Sequence, residues 1–248
     1  MAADNKVIAV TGASRGIGAA IALELARRGF TVGCLTRKGG GPESKEAKQF
    51  KDRFVNVACD VTDEASVKAA FAELAKKAGA LHGLVNNAGI HLDAPSHELP
   101  TATYEQVMAT NATAVFAACR EAYPHLVKSG GGSIVNIGSF FDKIGVKRNV
   151  AYCASKAAVG AITRCLAVEW ASKGIRVLDV APGYIVTDLN REAMTGGPLA
   201  DYLKKRIPSG VTGTTGDVAK LVAAIFSEDI PFLSGETIYI DGAQGINH

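Results

Sequence analysis

The run Val7–Arg28, VIAVTGASRGIGAAIALELARR, decides the fold. Val7, Ile8, Ala9 and Val10 form a short apolar block rich enough in β-branched residues for a buried strand. Ala19 to Arg28 carries Ile21, Leu23 and Leu25 among good helix formers and stops at Gly29, a helix terminator. Between the two lies Thr11-Gly12-Ala13-Ser14-Arg15-Gly16-Ile17-Gly18. Strand, glycine loop and helix, in that order, form the context that a dinucleotide phosphate requires. The glycines let the main chain approach the anion, and the helix start offers N–H groups that have no partner inside the helix. The spacing is G-x-x-x-G-x-G, not G-x-G-x-x-G. Loops also collect glycine for conformational reasons alone, so the rest of the chain has to support the reading.

It does so by repetition. Thr31–Leu35, Phe54–Ala58, Leu81–Val85, Ile134–Ile137, Ile175–Val180 and Thr237–Ile240 read as strands. Between them lie helical stretches: a charged one ending near Lys51, Asp63–Ala78, one long helix Thr101–Lys128, one reaching about Ser172, and one from about Gly216 to Ser227. Alternation of this kind predicts an α/β fold, a doubly wound parallel sheet of about seven strands flanked by helices, as a single domain over 1–248. Thr187 to Arg206 mixes helix formers with Gly196-Gly197-Pro198, the pattern of a mobile lid over a pocket at about 187–206. Ligands of such sheets bind at the carboxyl ends of the strands. The glycine loop, Arg37, Asp60, Asn86–Gly89, Ser139 and Pro182-Gly183 all follow predicted strands, which sets them along one edge.

The end of the second strand reads Thr36-Arg37-Lys38, with no carboxylate before Glu43. A NAD site would carry an acid there for the ribose hydroxyls. Two cations, with Arg15 in the glycine loop, suit a 2′-phosphate and favour NADP(H) over NAD(H); the alternative is a solvated basic turn. Asp60 is placed either to accept from an adenine amino group or to turn the chain into the next helix. Asn111 sits in mid-helix, where asparagine is mildly unfavourable. It is either a solvent-facing accident or, given Val107, Val115 and Phe116 nearby, partly buried.

The segment Ser139–Lys156 carries the chemistry. Tyr152 and Lys156 are four apart, so on a helix they share a face. A phenol, with a pKa of about 10, is a poor proton donor and acceptor at neutral pH. A neighbouring ammonium is expected to lower it. Ser139 follows a strand and would hold a substrate oxygen. By itself a Y-x-x-x-K is an ordinary helix pair.

The chain has 248 residues, 48 % of them hydrophobic, with 21 % charged and a net charge of +3. That balance argues against nucleic-acid binding as the main task. Five scattered cysteines without a CxxC fit thiols in a reducing compartment better than disulfides or zinc. No histidines have metal-site spacing. No stretch reads as a signal peptide or a membrane span, and the expected location is the cytoplasm.

Thr11-Gly12-x-x-x-Gly16-x-Gly18, Asn86-Asn87-Ala88-Gly89, Ser139, Tyr152-x-x-x-Lys156 and Pro182-Gly183 together resemble the short-chain dehydrogenase/reductase family, in its order and spacing, over essentially the whole chain. The resemblance implies one NAD(P)-binding Rossmann-type domain and a catalytic tetrad of Asn111, Ser139, Tyr152 and Lys156. In such enzymes the tyrosine exchanges a proton with the substrate oxygen and the serine hydrogen-bonds the carbonyl. The lysine lowers the tyrosine's pKa and holds the nicotinamide ribose, and the asparagine positions a relay water. Also implied are cofactor contacts from Gly12, Ser14, Arg15, Gly16, Ile17 and Gly18, from Arg37, Lys38, Asp60 and Val61, from Asn87, Ala88 and Gly89, from Tyr152 and Lys156, and from Pro182, Gly183 and Ile185. Thr187 would hold the nicotinamide carboxamide.

Within the family the chain is most similar to 3-oxoacyl-[acyl-carrier-protein] reductases, through Leu233-Ser234-Gly235-Glu236-Thr237, Asp241-Gly242 and the basic Lys173. This implies reduction of a small-molecule carbonyl, a 3-oxoacyl thioester presented on acyl carrier protein in fatty acid synthesis. It also implies a homotetramer built through the helix after Tyr152. Departures fall at Ile90–Pro95, at Phe140-Phe141, at Asp142 where a glycine is common, and at Ala243. They are expected on the substrate side and leave open another ketone, a secondary alcohol or a sugar. A nucleotide sensor without catalysis would not require Ser139, Tyr152 and Lys156 together.

Overall fold

Strand β1, Val7–Thr11, is buried at every position, as a strand covered by helices on both faces must be. In the computed structural model, which describes residues 6–228 and 230–247, it lies at the centre of a parallel sheet. Its partners are β2 (Thr31–Thr36), β3 (Phe54–Ala58), β4 (Gly83–Asn86), β5 (Gly132–Ile137), β6 (Ile175–Pro182) and β9 (Thr237–Ile240). The seven strands run in the order β3-β2-β1-β4-β5-β6-β9. The chain winds outward from β1 to β3, then returns to the other side of β1 for β4 and beyond. A crevice therefore opens between the carboxyl ends of β1 and β4, where the winding reverses.

Each face of the sheet has its own core. On one, α1 (Gly16–Arg27) and α8 (Thr215–Ser227) bring Ile21, Leu25, Val218 and Val222 onto Ile8, Val10 and Val135. On the other, α2 (Glu64–Ala78), α4 (Ala114–Lys128) and α5 (Val150–Trp170) bring Phe71, Leu74, Leu126 and Val159 onto Ala9, Leu84 and Ile134. Helix starts are fixed locally. Asp63 accepts from the Ala65 N–H at 2.9 Å ahead of α2, and Thr214 and Asp217 form a reciprocal capping box at α8. All five cysteines are free thiols, and Cys34, Cys59 and Cys119 are buried.

Two stretches differ from the sequence expectation. The charged segment near Lys51 is a kinked 3₁₀ turn, Ala47–Arg53, not an α-helix. Only Ala47 in it is buried, so no apolar face exists to hold a regular helix. The long helix Thr101–Lys128 is α3 (Thr101–Met108) and α4 joined through a π-turn, Ala109–Thr113. The extra residue in that turn carries Asn111 inward, to 1 % exposure. Residues 187–206 form α6 (Arg191–Thr195) and α7 (Gly197–Arg206), bounded by a small separate sheet of β7 (Ile185–Val186) and β8 (Gly213–Thr214). Met194, Leu203 and Ile207 make a private apolar cluster there, apart from both main cores.

Gly33 in β2 shows how closely the sheet meets α2. A Cβ at that position would stand 2.4 Å from Leu74 Cδ2, and Leu74 is fully buried. Leu74→Ala is expected to cost about 2–5 kcal/mol and Gly33→Ala about 1–3 kcal/mol. The double variant should cost clearly less than the sum, because the new methyl fills space that Leu74 vacates. Urea unfolding of the three variants checks this; strict additivity would mean that the two positions do not share one cavity.

Candidate active site

The crevice begins with Thr11, the last residue of β1. Its hydroxyl accepts from the N–H groups of Asn87 and Ala88, both at 3.0 Å, and donates toward the Val85 carbonyl at 3.4 Å. The loop after β4 is thereby tied to the end of β1. Asn87 Nδ2 returns the tie, donating to the carbonyls of Thr11 at 3.0 Å and Gly12 at 3.3 Å. This approach is possible because residue 18 has no side chain: a Cβ on Gly18 would lie 2.3 Å from the Gly12 oxygen and 2.4 Å from Asn87 Nδ2. Gly12 and Gly16 take φ of +67° and +57°, which a larger residue adopts only with strain. Helix α1 starts inside the loop, at Gly16, with no side-chain cap and no acid in its first turn. Its first N–H groups are left for an anion.

A cleft of about 650 Å³ opens over this loop. Gly12, Ser14, Arg15, Gly16 and Ile17 line it from β1 and α1, Arg37 from the end of β2, and Asp60 and Val61 from the end of β3. Asn87, Ala88 and Gly89 line it after β4, and Thr187 after β7. Asp60 turns the chain toward the next helix. Its Oδ1 accepts from the Thr62 hydroxyl at 2.7 Å and N–H at 3.0 Å, closing a turn, while the residue also faces the cleft. Those hydrogen bonds, with Arg37 nearby, hold its carboxyl below the usual range. Thr36 is occupied elsewhere: its hydroxyl donates to the Gly40 carbonyl at 2.8 Å and accepts from the Gly40 N–H at 2.9 Å. Arg37 is thus the side chain that the end of β2 offers to the cleft.

Seven residues expected at the cofactor do not line the cleft. Lys38 is exposed beyond Arg37 because β2 ends at Thr36 and the chain turns away. Gly18 lies beneath the loop, packed on Gly12 and Asn87. Pro182 pairs with Ile240 inside the sheet. Gly183 is pressed to Asp241, whose Cα would be 2.7 Å from a Cβ there. Ile185 is 6 % exposed and joins a main core. Tyr152 and Lys156 sit deeper than the lining. Conversely, Thr62 and Thr110 line the cleft without having been singled out, and Ile90, expected on the substrate side, lines it too. The signal for Thr62 and Ile90 was their adjacency to Asp60-Val61 and to Gly89.

The four residues of the expected tetrad lie where β5, the π-turn and α5 meet. Asn111 clamps the backbone of Ile90: its Oδ1 accepts from Ile90 N–H at 2.8 Å, and its Nδ2 donates to Ile90 O at 2.9 Å. The same Nδ2 reaches Ser155 Oγ at 3.2 Å. Ser139 ends the extended chain after β5 and caps a short 3₁₀ turn, Phe140–Asp142, accepting from Phe141 N–H at 3.3 Å. It also acts on the Tyr152 phenol, drawing its pKa down. Lys156 is 6 % exposed, and its Nζ donates to the Ile137 carbonyl at 2.7 Å. Aromatic rings enclose the phenol: His91 edge-on with centroids 4.7 Å apart, and Phe141 at 5.9 Å. Tyr184 stands against Phe140 and Phe141 in turn. His91 is held by Asn149 through its Nε2.

This arrangement corrects the expected acidity. Burial pushes the Tyr152 phenol up to about 12, and the nearby Ser139 hydroxyl only partly offsets that. Lys156 does not lower it, because its ammonium is turned to Ile137 and lies 5.6 Å from the centre of the ring. Burial pushes Lys156 itself down to about 8, against the pull of Asp179. At neutral pH Tyr152 therefore carries its proton, ready to donate. Asp142, expected on the substrate side, instead accepts from the Tyr239 hydroxyl at 2.8 Å, toward the far edge of the sheet.

Dinucleotide geometry, with a serine–tyrosine pair beside a buried lysine, has counterparts among known proteins. Residues 12–244 match a family model described as enoyl-(acyl carrier protein) reductase. The D-threitol dehydrogenase of Mycolicibacterium smegmatis is 36 % identical over 98 % of this chain and 94 % of its own. A 3-oxoacyl-[acyl-carrier-protein] reductase of Staphylococcus aureus is 35 % identical over 97 % of this chain and 98 % of its own. The ligand-free aldohexose dehydrogenase of Thermoplasma acidophilum superposes with a TM-score of 0.88 at 30 % identity, covering 99 % of this chain and 96 % of that one. The chain belongs to the short-chain dehydrogenase/reductase family.

Proposed function

We propose that the protein is an NADP(H)-dependent oxidoreductase that interconverts a carbonyl and a secondary alcohol, with reduction of a 3-oxoacyl thioester as its leading assignment. The observation that carries the reaction type is the meeting of Ser139, the Tyr152 phenol and the buried Lys156 where β5 and α5 come together, with Ser139 acting on the phenol and the lysine ammonium 5.6 Å from the ring centre. The nicotinamide, when bound, supplies the hydride to the carbonyl carbon. Ser139 and Tyr152 hold the carbonyl oxygen, and Tyr152 gives that oxygen its proton, so the product is the alcohol and the residue is left as phenolate. Lys156, whose ammonium is held by the Ile137 carbonyl, would steady that anion only on turning toward it. Asn111 holds Ile90 at the cleft wall. Glycines 12, 16 and 18, the uncapped start of α1 and Arg37 would hold the dinucleotide, with Thr187 at its nicotinamide end.

Support for the thioester comes from Leu233–Thr237 and from Lys173, which is exposed at the end of the α5 region and available to an acidic carrier protein. A second reading, a short polyol or sugar, is favoured by the ring wall. Phe140 and Phe141 are buried against each other with centroids 4.8 Å apart, and Phe141 closes one side of Tyr152. Such a wall narrows the room for an acyl chain. Acetoacetyl thioesters, diketones, polyols and aldoses, each assayed with NADPH or NADH or their oxidised forms, separate the two readings. Among the described residues no helix is long and apolar enough to cross a membrane, and a cytoplasmic location is consistent with the free thiols. Assembly as a homotetramer is supported by apolar side chains left outside on α4 and α5, with Phe116 42 % and Val168 81 % exposed. Light scattering at micromolar concentration should give four times the chain mass; a monomer would exclude it.

Tyr152→Phe keeps the ring and its contacts but removes the proton. Turnover should fall by about 10²–10⁴-fold with the thermal midpoint and NADPH affinity nearly unchanged. Near-normal turnover would remove Tyr152 from the mechanism.

Arg37→Ala should weaken NADPH by about ten- to a hundredfold, the loss of one charge-assisted hydrogen bond of about 1.5–3 kcal/mol. NADH should be almost unaffected. High salt should shrink the difference between the cofactors. Equal loss with both cofactors would make Arg37 a structural residue.

A further inference from the structure

Strand β6 contains an anomaly. Its residues Val177, Leu178, Val180 and Ala181 are fully buried and apolar, and between them stands Asp179, also with no exposure. Its carboxylate has little support. Thr237 Oγ1 donates to Oδ2 at 3.3 Å, and Oδ1 has no hydrogen-bond partner. The main chain presses close, since a Cβ on Gly138 would lie 2.4 Å from Oδ1. A buried carboxylate so poorly bonded is costly unless a charge faces it. Two cations stand near: Lys156, whose Nζ donates to the carbonyl of Ile137, next to the Gly138 that presses on Asp179, and Arg164, since a Cβ on Gly160 would lie 3.4 Å from Arg164 Nη1 and 4.0 Å from Asp179 Oδ2. Lys156 has the complementary problem: its ammonium is buried, with the Ile137 carbonyl as its hydrogen-bond acceptor. A buried ammonium of this kind loses its proton readily without a nearby anion.

We propose that Asp179 is a positioning residue of the catalytic set, a buried counter-charge that keeps Lys156 an ammonium ion beside Tyr152. It does not line the cofactor cleft, and its side-chain hydrogen bond comes from Thr237 on β9. Other ionisable groups around the pair are Asp142 and Lys143 on the turn after Ser139, Tyr239 on β9, and Arg164 and Tyr152 on α5. Asp142 is engaged by the Tyr239 hydroxyl, and Lys143 Nζ lies over the Tyr239 ring, 3.4 Å from its centre. Arg164 bears on Tyr239. Asp179 is thus the acid that acts on the lysine.

The signs follow. Burial and the nearby Asp142 push Asp179 up to about 6, while Lys156 pulls it down, so the carboxylate is charged at pH 7 and above. Lys156 titrates near 8 with that anion in place. Without it the lysine would release its proton at lower pH.

The test is the pH profile of kcat/KM, with thermal midpoints, for Asp179→Asn, Asp179→Ser, Asp179→Glu and Asp142→Asn. It rests on the assignment of Lys156 to the catalytic set. If that assignment fails, Lys156→Met stays active; if only the present inference fails, Lys156→Met is inactive and the profiles below do not move. Expected is an alkaline limb displaced to lower pH by about one unit or more in Asp179→Asn and Asp179→Ser. Asp179→Glu keeps the charge and should hold the limb near its original place. Asp142→Asn removes an acid that does not face the lysine and should leave the alkaline limb unmoved. Folded Asp179→Asn or Asp179→Ser with an unmoved limb overturns the proposal, as does an equal displacement by Asp142→Asn. If the uncharged variants do not fold, a folded Asp179→Glu with the original limb supports the counter-charge. Failure of all three to fold makes Asp179 a structural residue and also overturns it.

Discussion

Everything at the cleft depends on one close contact, the seating of Gly18 against the Gly12 carbonyl and the Asn87 amide. It lets the first turn of α1 descend onto the end of β1. It lets one asparagine side chain bridge the loops that follow β1 and β4. The helix start is aimed at the crevice because those two loops are tied, and the crevice exists because the winding of the sheet reverses between the same two strands. Thr11 serves both sides of the tie with one hydroxyl. A methyl at residue 18 would meet backbone and amide, not a flexible chain end, so the loop would have to open and carry the helix start away with it.

Behind the cleft the protein places polar groups inside and satisfies most of them in chains. Asn86 donates to Asn136 at 2.9 Å, and Asn136 donates to Thr163 at 2.9 Å, joining β4, β5 and α5 through the core. Cys119 completes that cluster from α4, and burial pushes its thiol up to about 12. These bonds are directional where apolar packing is not, and they fix how α5 sits on the sheet. The position of α5 in turn sets where Tyr152 and Lys156 stand relative to Ser139. The catalytic geometry is an outcome of the core's hydrogen bonds as much as of the residues that carry the chemistry.

The strands and their order of use were legible because a parallel strand buried on both faces must be an apolar run, as in Val7–Thr11 and Ile134–Ile137. The grouping of glycine loop, Arg37, Asp60 and Asn87 at one edge followed from the same alternation. What stayed hidden depended on which way a side chain or a turn points. Four-residue spacing made Tyr152 and Lys156 neighbours, but not partners, since the ammonium turns to a carbonyl on β5. One extra residue in the π-turn leaves the apolar periodicity of Thr101–Lys128 intact, so nothing in the pattern marks it except Asn111 itself. Asp142 read as a substrate-side change because it follows Ser139 closely, yet the 3₁₀ turn rotates it to Tyr239. Asp179 did leave a trace, a lone acid within Ile175–Val180, and a strict accounting of buried charge would have stopped there.

The small parallel pair of Ile185–Val186 with Gly213–Thr214 has a consequence for how such a chain diversifies. It fastens both ends of residues 187–212 at one point, so the segment between is a closed bight with an apolar centre of its own in Met194, Leu203 and Ile207. Lengthening a closed loop costs only in proportion to the logarithm of its length. Changes of size or sequence within the bight are therefore absorbed at its base and do not reach β6 or the catalytic helix. The segment proposed to cover the substrate can be rewritten while the part proposed to handle hydride and proton is inherited unchanged.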